Sequence, residues 1–212
     1  MDNFILDTNL FFNMEAGLGL GRKTEEVTMN LTKIIRTLKK EKKVEFFLPP
    51  KAVDEYLSFF DDKNQPFIKE FLSVVTVKSP EISQVNFPAS VFYQLIGDIR
   101  ARSYRGLNIA EEEIEAAVNQ LAGKKPGLKK DFQIAIGKFI KSFRERYRQA
   151  TRFGFLDSVT DLDLIVLAKE IDGFLVSTDE GVIKWGRVFG VKEILPSSFK
   201  QRLDELLSRR QA

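Results

Sequence analysis

The chain has 212 residues, 43% of them hydrophobic, and a formal net charge of +3 from 33 basic and 30 acidic side chains. It contains no cysteine and no histidine, which excludes a disulfide framework, thiolate metal sites, histidine acid–base chemistry and nearly all zinc centres. Hydrolytic chemistry must then come from carboxylates, hydroxyls, lysine or arginine, and oxygen ligands suit a hard cation, Mg²⁺ or Mn²⁺.

Met1-Asp2-Asn3 passes directly into the apolar run Phe4-Ile5-Leu6-Asp7, read as a short buried strand with no signal peptide before it. Thr24 is placed as an N-cap, with Glu25 and Glu26 in the first turn of a helix carrying Val27, Leu31, Ile34, Ile35 and Leu38. Val44 to Leu48 forms a second strand, and Pro49-Pro50 stops it and opens a helix with Val53, Tyr56, Leu57 and Phe60. A helix over about 65–72 leads into Val74-Val75-Thr76-Val77, a third strand.

From about Pro88 to Arg152 the pattern holds no strand, only three helical stretches. The first runs to about Arg105, the second starts near Asn108, and the third follows the turn Gly123-Lys124-Lys125-Pro126-Gly127. The third stretch puts Phe132, Ala135, Ile136, Phe139, Ile140, Phe143 and Tyr147 on one side, with Lys130, Lys138, Lys141, Arg148 and Arg152 opposite. After Arg152 come a helix over about 158–171, a strand at 173–177, a helix over about 180–188 and a strand at 191–194. Pro196 ends that strand, and Ser197 or Ser198 caps a last helix. The alternation predicts an α/β fold, a parallel sheet with helices on both faces. It is formed by residues 1–84 and 153–212 and interrupted by a helical insertion at 85–152. No apolar run approaches the ~20 residues of a membrane span, so a cytoplasmic protein is expected.

Asp7, Asp157, Asp161, Asp163 and Asp179 each stand where an element starts or stops. In an open parallel sheet the functional crevice lies beyond the carboxyl ends of the strands, where Asp7 and Asp179 fall. Asp157 and Asp161 are four apart, on one face at the head of an amphipathic stretch, whereas Asp163 points elsewhere unless the helix begins after Asp161. Any one of these residues, taken singly, is an ordinary turn or cap. Gathered together, two carboxylates ~4 Å apart repel by about 4 kcal/mol at an effective dielectric of ~20, a cost that a divalent cation removes. The expected chemistry is metal-assisted phosphodiester hydrolysis through an acidified water. Asp7, Asp157, Asp161, Asp163 and Asp179 are the expected catalytic residues, Asp7, Asp157, Asp161 and Asp179 among them the expected metal ligands, and Thr8, Asn9 and Thr178 orient phosphate or water.

Residues 100–152 hold thirteen basic and six acidic residues, net +7, leaving 33 − 13 = 20 basic and 30 − 6 = 24 acidic elsewhere, net −4. One segment thus carries the basic character, as a polyanionic partner requires. Lys124, Lys125, Lys129, Lys130, Lys141, Arg144, Arg146, Arg148 and Arg152 are the candidate contacts to that polyanion. A carboxylate centre repels a polyanion, so a separate cationic surface has to hold it.

The segments Leu6-Asp7-Thr8-Asn9, Ala52-Val53-Asp54-Glu55-Tyr56, Asp161-Leu162-Asp163-Leu164 and Leu175-Val176-Ser177-Thr178-Asp179, in this order, resemble the PIN-domain nucleases. That resemblance adds Glu55 to the acidic set and leaves Glu180 as an accessory or a helix start. With the long basic helical hairpin inserted, the chain is similar to HARP, the protein-only ribonuclease P group of homologs of Aquifex RNase P, also labelled RNA ligase partner. The resemblance implies removal of the 5′ leader from precursor tRNA with Mg²⁺ or Mn²⁺ and no RNA subunit. It also implies a homo-oligomer, dimers assembling further through the hairpin. The rivals are a toxin-like PIN ribonuclease and a non-catalytic RNA-binding partner. A haloacid-dehalogenase phosphatase wants a second Asp two residues after the first, where this chain has Asn9.

Overall fold

Strands that carry helices on both faces are apolar on both sides, and Phe4, Ile5 and Leu6 are all fully buried. The computed structural model describes residues 2–14, 18–40, 44–123, 129–156 and 158–208. Its strands are β1 (Asp2–Leu6), β2 (Val44–Leu48), β3 (Thr76–Val77), β4 (Phe174–Val176) and β5 (Lys192–Ile194). They form one parallel sheet in the order β3-β2-β1-β4-β5. The order reverses direction at β1, so the carboxyl ends of β1 and β4 flank the topological switch point, where such sheets bind ligands.

Register places Phe4 opposite both Phe46 and Phe174. Aligned neighbours in a sheet project to the same face, and the three rings stack with centroids 5.4 and 5.7 Å apart. Phe199 of the last helix tilts onto Phe4 at 5.1 Å. A second aromatic group joins Phe11 to Tyr56 at 5.2 Å and to Phe71 at 5.0 Å.

The helices are α1 (Asn9–Phe12), α2 (Thr24–Lys39), α3 (Pro50–Ser58), α4 (Pro66–Val74), α5 (Ser90–Leu121), α6 (Lys129–Arg152), α7 (Val159–Glu170), α8 (Glu180–Val188) and α9 (Pro196–Ser208). The α2 N-cap is Lys23 rather than Thr24, and the Glu26 carboxylate accepts from Arg22 N at 2.8 Å to satisfy the entry. The last helix begins at Pro196, ahead of the expected serine caps. Helix α7 buries every residue from Asp163 to Ala168, so it is enclosed on all sides rather than amphipathic. No helix among the described residues is long and apolar enough to cross a membrane.

The chain divides into two compact units, Met1–Phe87 with Leu156–Ala212, and Pro88–Phe155. The second unit is a hairpin of two helices, because the break expected near residues 105–108 does not occur. Gly106 lies inside α5, and a Cβ there would meet the Tyr147 ring at 2.6 Å. It is a packing position for α6, not a helix end. At the hairpin base, buried Arg102 donates to the carbonyls of Thr151, Phe153 and Gly154 at 2.9–3.1 Å. It also pairs with Asp98 at 3.3 Å and lies over the Phe155 ring. The free carbonyls at the end of α6 thereby find a donor.

Phe4→Ala should remove the shared ring of the sheet-face stack and cost about 3–5 kcal/mol, read as a lower denaturant midpoint with an unchanged slope.

Candidate active site

The centre of the site is the turn that ends β1. Asp7 N bonds Val176 O at 3.0 Å, continuing the pairing with β4 one residue beyond the strand. Asp7 and Thr8 are each only 2% exposed, so the Asp7 carboxylate needs partners. The Ser177 hydroxyl donates to one carboxylate oxygen, Asn9 N donates to the other at 3.1 Å, and the Asn9 side-chain amide and Thr8 hydroxyl approach at 3.4 Å. Ser177 also accepts from Asp179 N at 3.0 Å, so one hydroxyl links the ends of β1 and β4.

Burial is the largest influence on Asp7 and raises its pKa above 3.8, the hydrogen bonds of Ser177 and Asn9 oppose that, and the charge of Asp179 adds to the rise. Glu55, on α3, is also raised, first by partial burial and then by the charge on Asp7, against a hydrogen bond from the Thr8 hydroxyl. Asp7, Asp179 and Glu55 are thus one electrostatic group with Thr8, Asn9 and Ser177 as its donors. Asp179 caps α8 by accepting from Val182 N at 2.9 Å. Glu180 is exposed in the first turn of that helix, and Thr178 lies between Ser177 and Asp179.

Asp161 and Asp163 lie in the first turns of α7, which Ser158 caps by accepting from Thr160 N and Asp161 N. Asp161 is half-buried. Asp163 is 7% exposed and pairs with Lys51 of α3 at 3.0 Å. That places Asp163 against the helix that carries Glu55. Asp157 falls outside the described residues.

Among the described residues no group of three acidic side chains is close enough together to hold a metal ion. The chemistry of the donors nevertheless fits a hard divalent cation: all are oxygens, one carboxylate is buried with its pKa raised in part by the charge of Asp179, and that carboxylate in turn raises Glu55. Positive charge at this point relieves both effects. Ser177 and Lys51 have no assigned role in the linear reading. The available signals were a hydroxyl two residues before Asp179 and a lysine one helical turn before Glu55.

In the hairpin unit, Lys129, Lys130, Lys141, Arg144, Arg148 and Arg152 are exposed. Arg146 is committed to Glu112 and Glu113 of α5, and Glu113 also accepts from Ser142 at 2.7 Å. Arg146 therefore ties the two helices together. Lys124 and Lys125 fall outside the described residues.

A parallel sheet of this order, with carboxylates at the ends of β1 and β4 and on α3 and α7, defines a nuclease of the PIN class. The family model for the PINc domain ribonuclease matches residues 3–208, and such domains generally depend on a divalent metal ion. The chain is similar to proteins named RNA-free ribonuclease P from Pyrococcus furiosus (34% identity, covering 99% of this chain and 96% of that one). Similar proteins of the same name occur in Nitrosococcus oceani (36%, 98% and 97%) and Methanocaldococcus jannaschii (33%, 96% and 91%). The chain belongs to the RNA-free ribonuclease P family of PINc-domain ribonucleases.

Because the folded-state pKa of Asp7 is raised, its favourable contribution is complete below the unfolded carboxylate range and is lost as pH rises through the folded value. At neutral pH without divalent ions, Asp7→Asn should melt higher than the parent, by roughly 2–4 °C per kcal/mol relieved. The gap should close on acidification, and Mg²⁺ should raise the melting point of the parent more than that of the variant.

Proposed function

We propose that this protein removes the 5′ leader of precursor tRNA by metal-dependent phosphodiester hydrolysis, without an RNA subunit. The observation that carries the reading is the buried Asp7 carboxylate at the switch point, electrostatically joined to Asp179 and Glu55, in a chain similar over nearly its whole length to RNA-free ribonuclease P proteins. The unit formed by 1–87 and 156–212 is the nuclease and the hairpin is the RNA-holding insertion.

Asp7, Asp157, Asp161 and Asp179, assisted by Glu55, would hold Mg²⁺ or Mn²⁺, and such an ion, when bound, would acidify water and neutralise charge on the phosphate. Ser177 and Asn9 aim the Asp7 carboxylate by donating to its two oxygens. Thr8 places its hydroxyl toward both Asp7 and Glu55. Asp163 acts through Lys51 on α3 and keeps that helix registered against α7. Glu180 completes the first turn of α8 beside the ligand Asp179.

The exposed cations of α6, together with Lys124 and Lys125, hold the RNA phosphates that the carboxylates cannot. Folded RNA helices are bound chiefly by shape and through phosphates and 2′-hydroxyls, which suits a surface of Lys129, Lys130, Lys141, Arg144, Arg148 and Arg152. The hairpin also exposes Ile114, Val118, Phe132, Ile134 and Ile140, and α6 has no buried residue. An apolar surface of this extent marks an interaction site, and its occupant is a second copy of the chain. The proposed working form is a homo-oligomer, acting in the cytoplasm.

Asp7→Ala and Asp161→Ala should each lower the single-turnover cleavage of precursor tRNA by at least about 100-fold, with RNA affinity nearly unchanged in filter binding. Retained cleavage would remove these residues from the metal site. Reversing Arg144, Arg148 and Arg152 together should weaken binding and reduce the salt slope by about one for each phosphate no longer neutralised, whereas an unchanged slope would leave the hairpin with assembly alone.

A further inference from the structure

Helix α3 presents three different chemistries at successive turns. Lys51, Glu55 and Phe59 stand at i, i+4 and i+8, about 6 Å apart along the axis, with Phe59 continuing the helical backbone as its C-cap. Lys51 reaches Asp163 while half its side chain stays in solvent. Glu55 belongs to the acidic group with Asp7. Phe59 is 57% exposed, a phenyl ring in solvent one helical turn from Glu55.

The ring does not stand alone. Phe12 stacks on it at 3.9 Å with the planes 27° apart. Phe12 is the last residue of α1, whose first residue, Asn9, donates to Asp7. Behind it Phe12 meets Tyr56 at 5.9 Å and Phe60 at 6.0 Å. Tyr56 is fully buried, with its hydroxyl fixed by Thr28 at 3.1 Å. The exposed ring therefore sits on a braced aromatic layer, and both helices that supply it also supply groups to the acidic centre.

We propose that the Phe59–Phe12 stack is a binding subsite for one unpaired nucleobase, that of the leader nucleotide adjoining the scissile phosphate. This rests on the precursor tRNA reading above. A phosphodiester at Asp7 and Glu55 lies one helical turn from Phe59, the reach from a phosphate to the base on its own sugar. Single-stranded RNA is held by stacking splayed bases on aromatic side chains, without preference for sequence. A leader has no partner strand, so its base leaves the helical stack at little cost. Lys51, one turn to the other side of Glu55, meets the backbone across the cut.

The test uses the full-length protein and a precursor tRNA carrying 2-aminopurine at the leader nucleotide next to the cut. The base should be quenched on binding to the parent protein and not on binding to Phe59→Ala, which should stay folded with a melting temperature lowered by only a few degrees for the lost stack on Phe12. Phe59→Ala should weaken binding by roughly 5- to 150-fold, the equivalent of one base–aromatic stack of about 1–3 kcal/mol. Phe59→Tyr should restore it, and an abasic leader nucleotide should bind the parent as weakly as the alanine variant, with no further loss when the two are combined. Equal quenching in Phe59→Ala, or losses that simply multiply, would overturn the subsite. A changed oligomeric mass with unchanged RNA affinity would overturn it too, by showing that the patch meets another protein chain. If the parent fails to cleave precursor tRNA, the substrate reading falls separately. Quenching of 2-aminopurine in a short single-stranded RNA, lost in Phe59→Ala, then decides the stacking site.

Discussion

A carboxylate enclosed at the end of a central strand is expensive unless hydrogen bonds or a cation meet it. Asp7 is in that position because β1 pairs on both sides and Asp7, the residue just after the strand, bonds the end of β4. The same pairing brings Ser177 against the carboxylate and sets Asp179 close enough to add its charge. Hydrogen bonds from Ser177 and Asn9 offset part of the burial, the charge of Asp179 works in the opposite direction, and Asp7 in turn raises Glu55. Positive charge placed here would relieve both the burial of Asp7 and its like-charge neighbours, and the site lies at the switch point where an open parallel sheet admits a ligand.

The rest of the molecule follows from that constraint. A concentration of carboxylates drives RNA away, so the affinity for a polyanion has to be placed elsewhere. On the proposed reading it is carried by the second compact unit, whose exposed cations lie along α6. Not every basic residue serves that end. Arg102 is consumed in closing the base of the hairpin and Arg146 in joining its helices. Net charge counted along the chain therefore overstates the cationic surface available to a ligand.

Much of the fold was legible in local patterns. The apolar runs ending at Asp7 and Asp179, the Pro49-Pro50 helix start and the return to α/β alternation after Arg152 correspond to observed elements. What escaped the linear reading depended on tertiary contacts. Gly106 looked like part of a helix break because the ring that needs its missing side chain lies on another helix, at Tyr147. Helix α7 looked amphipathic from Asp157 to Asp163, yet Asp163 is buried because Lys51, more than a hundred positions earlier, supplies the opposite charge. Ser177 passed as an ordinary strand residue, since its hydrogen bond to Asp7 exists only once β1 and β4 are adjacent. The acidic residues were easier to find, because carboxylates at element boundaries stand out in a chain without histidine or cysteine.

The most direct measurement is to incubate the purified protein with 5′-labelled precursor tRNA and Mg²⁺ and map the product ends at nucleotide resolution. One cut at the mature 5′ end, abolished by EDTA, is the expected result. Cuts scattered through single-stranded RNA, or at an anticodon, would contradict leader removal and indicate a toxin-like ribonuclease. Tight binding with no cut at all would indicate an RNA-binding partner protein instead.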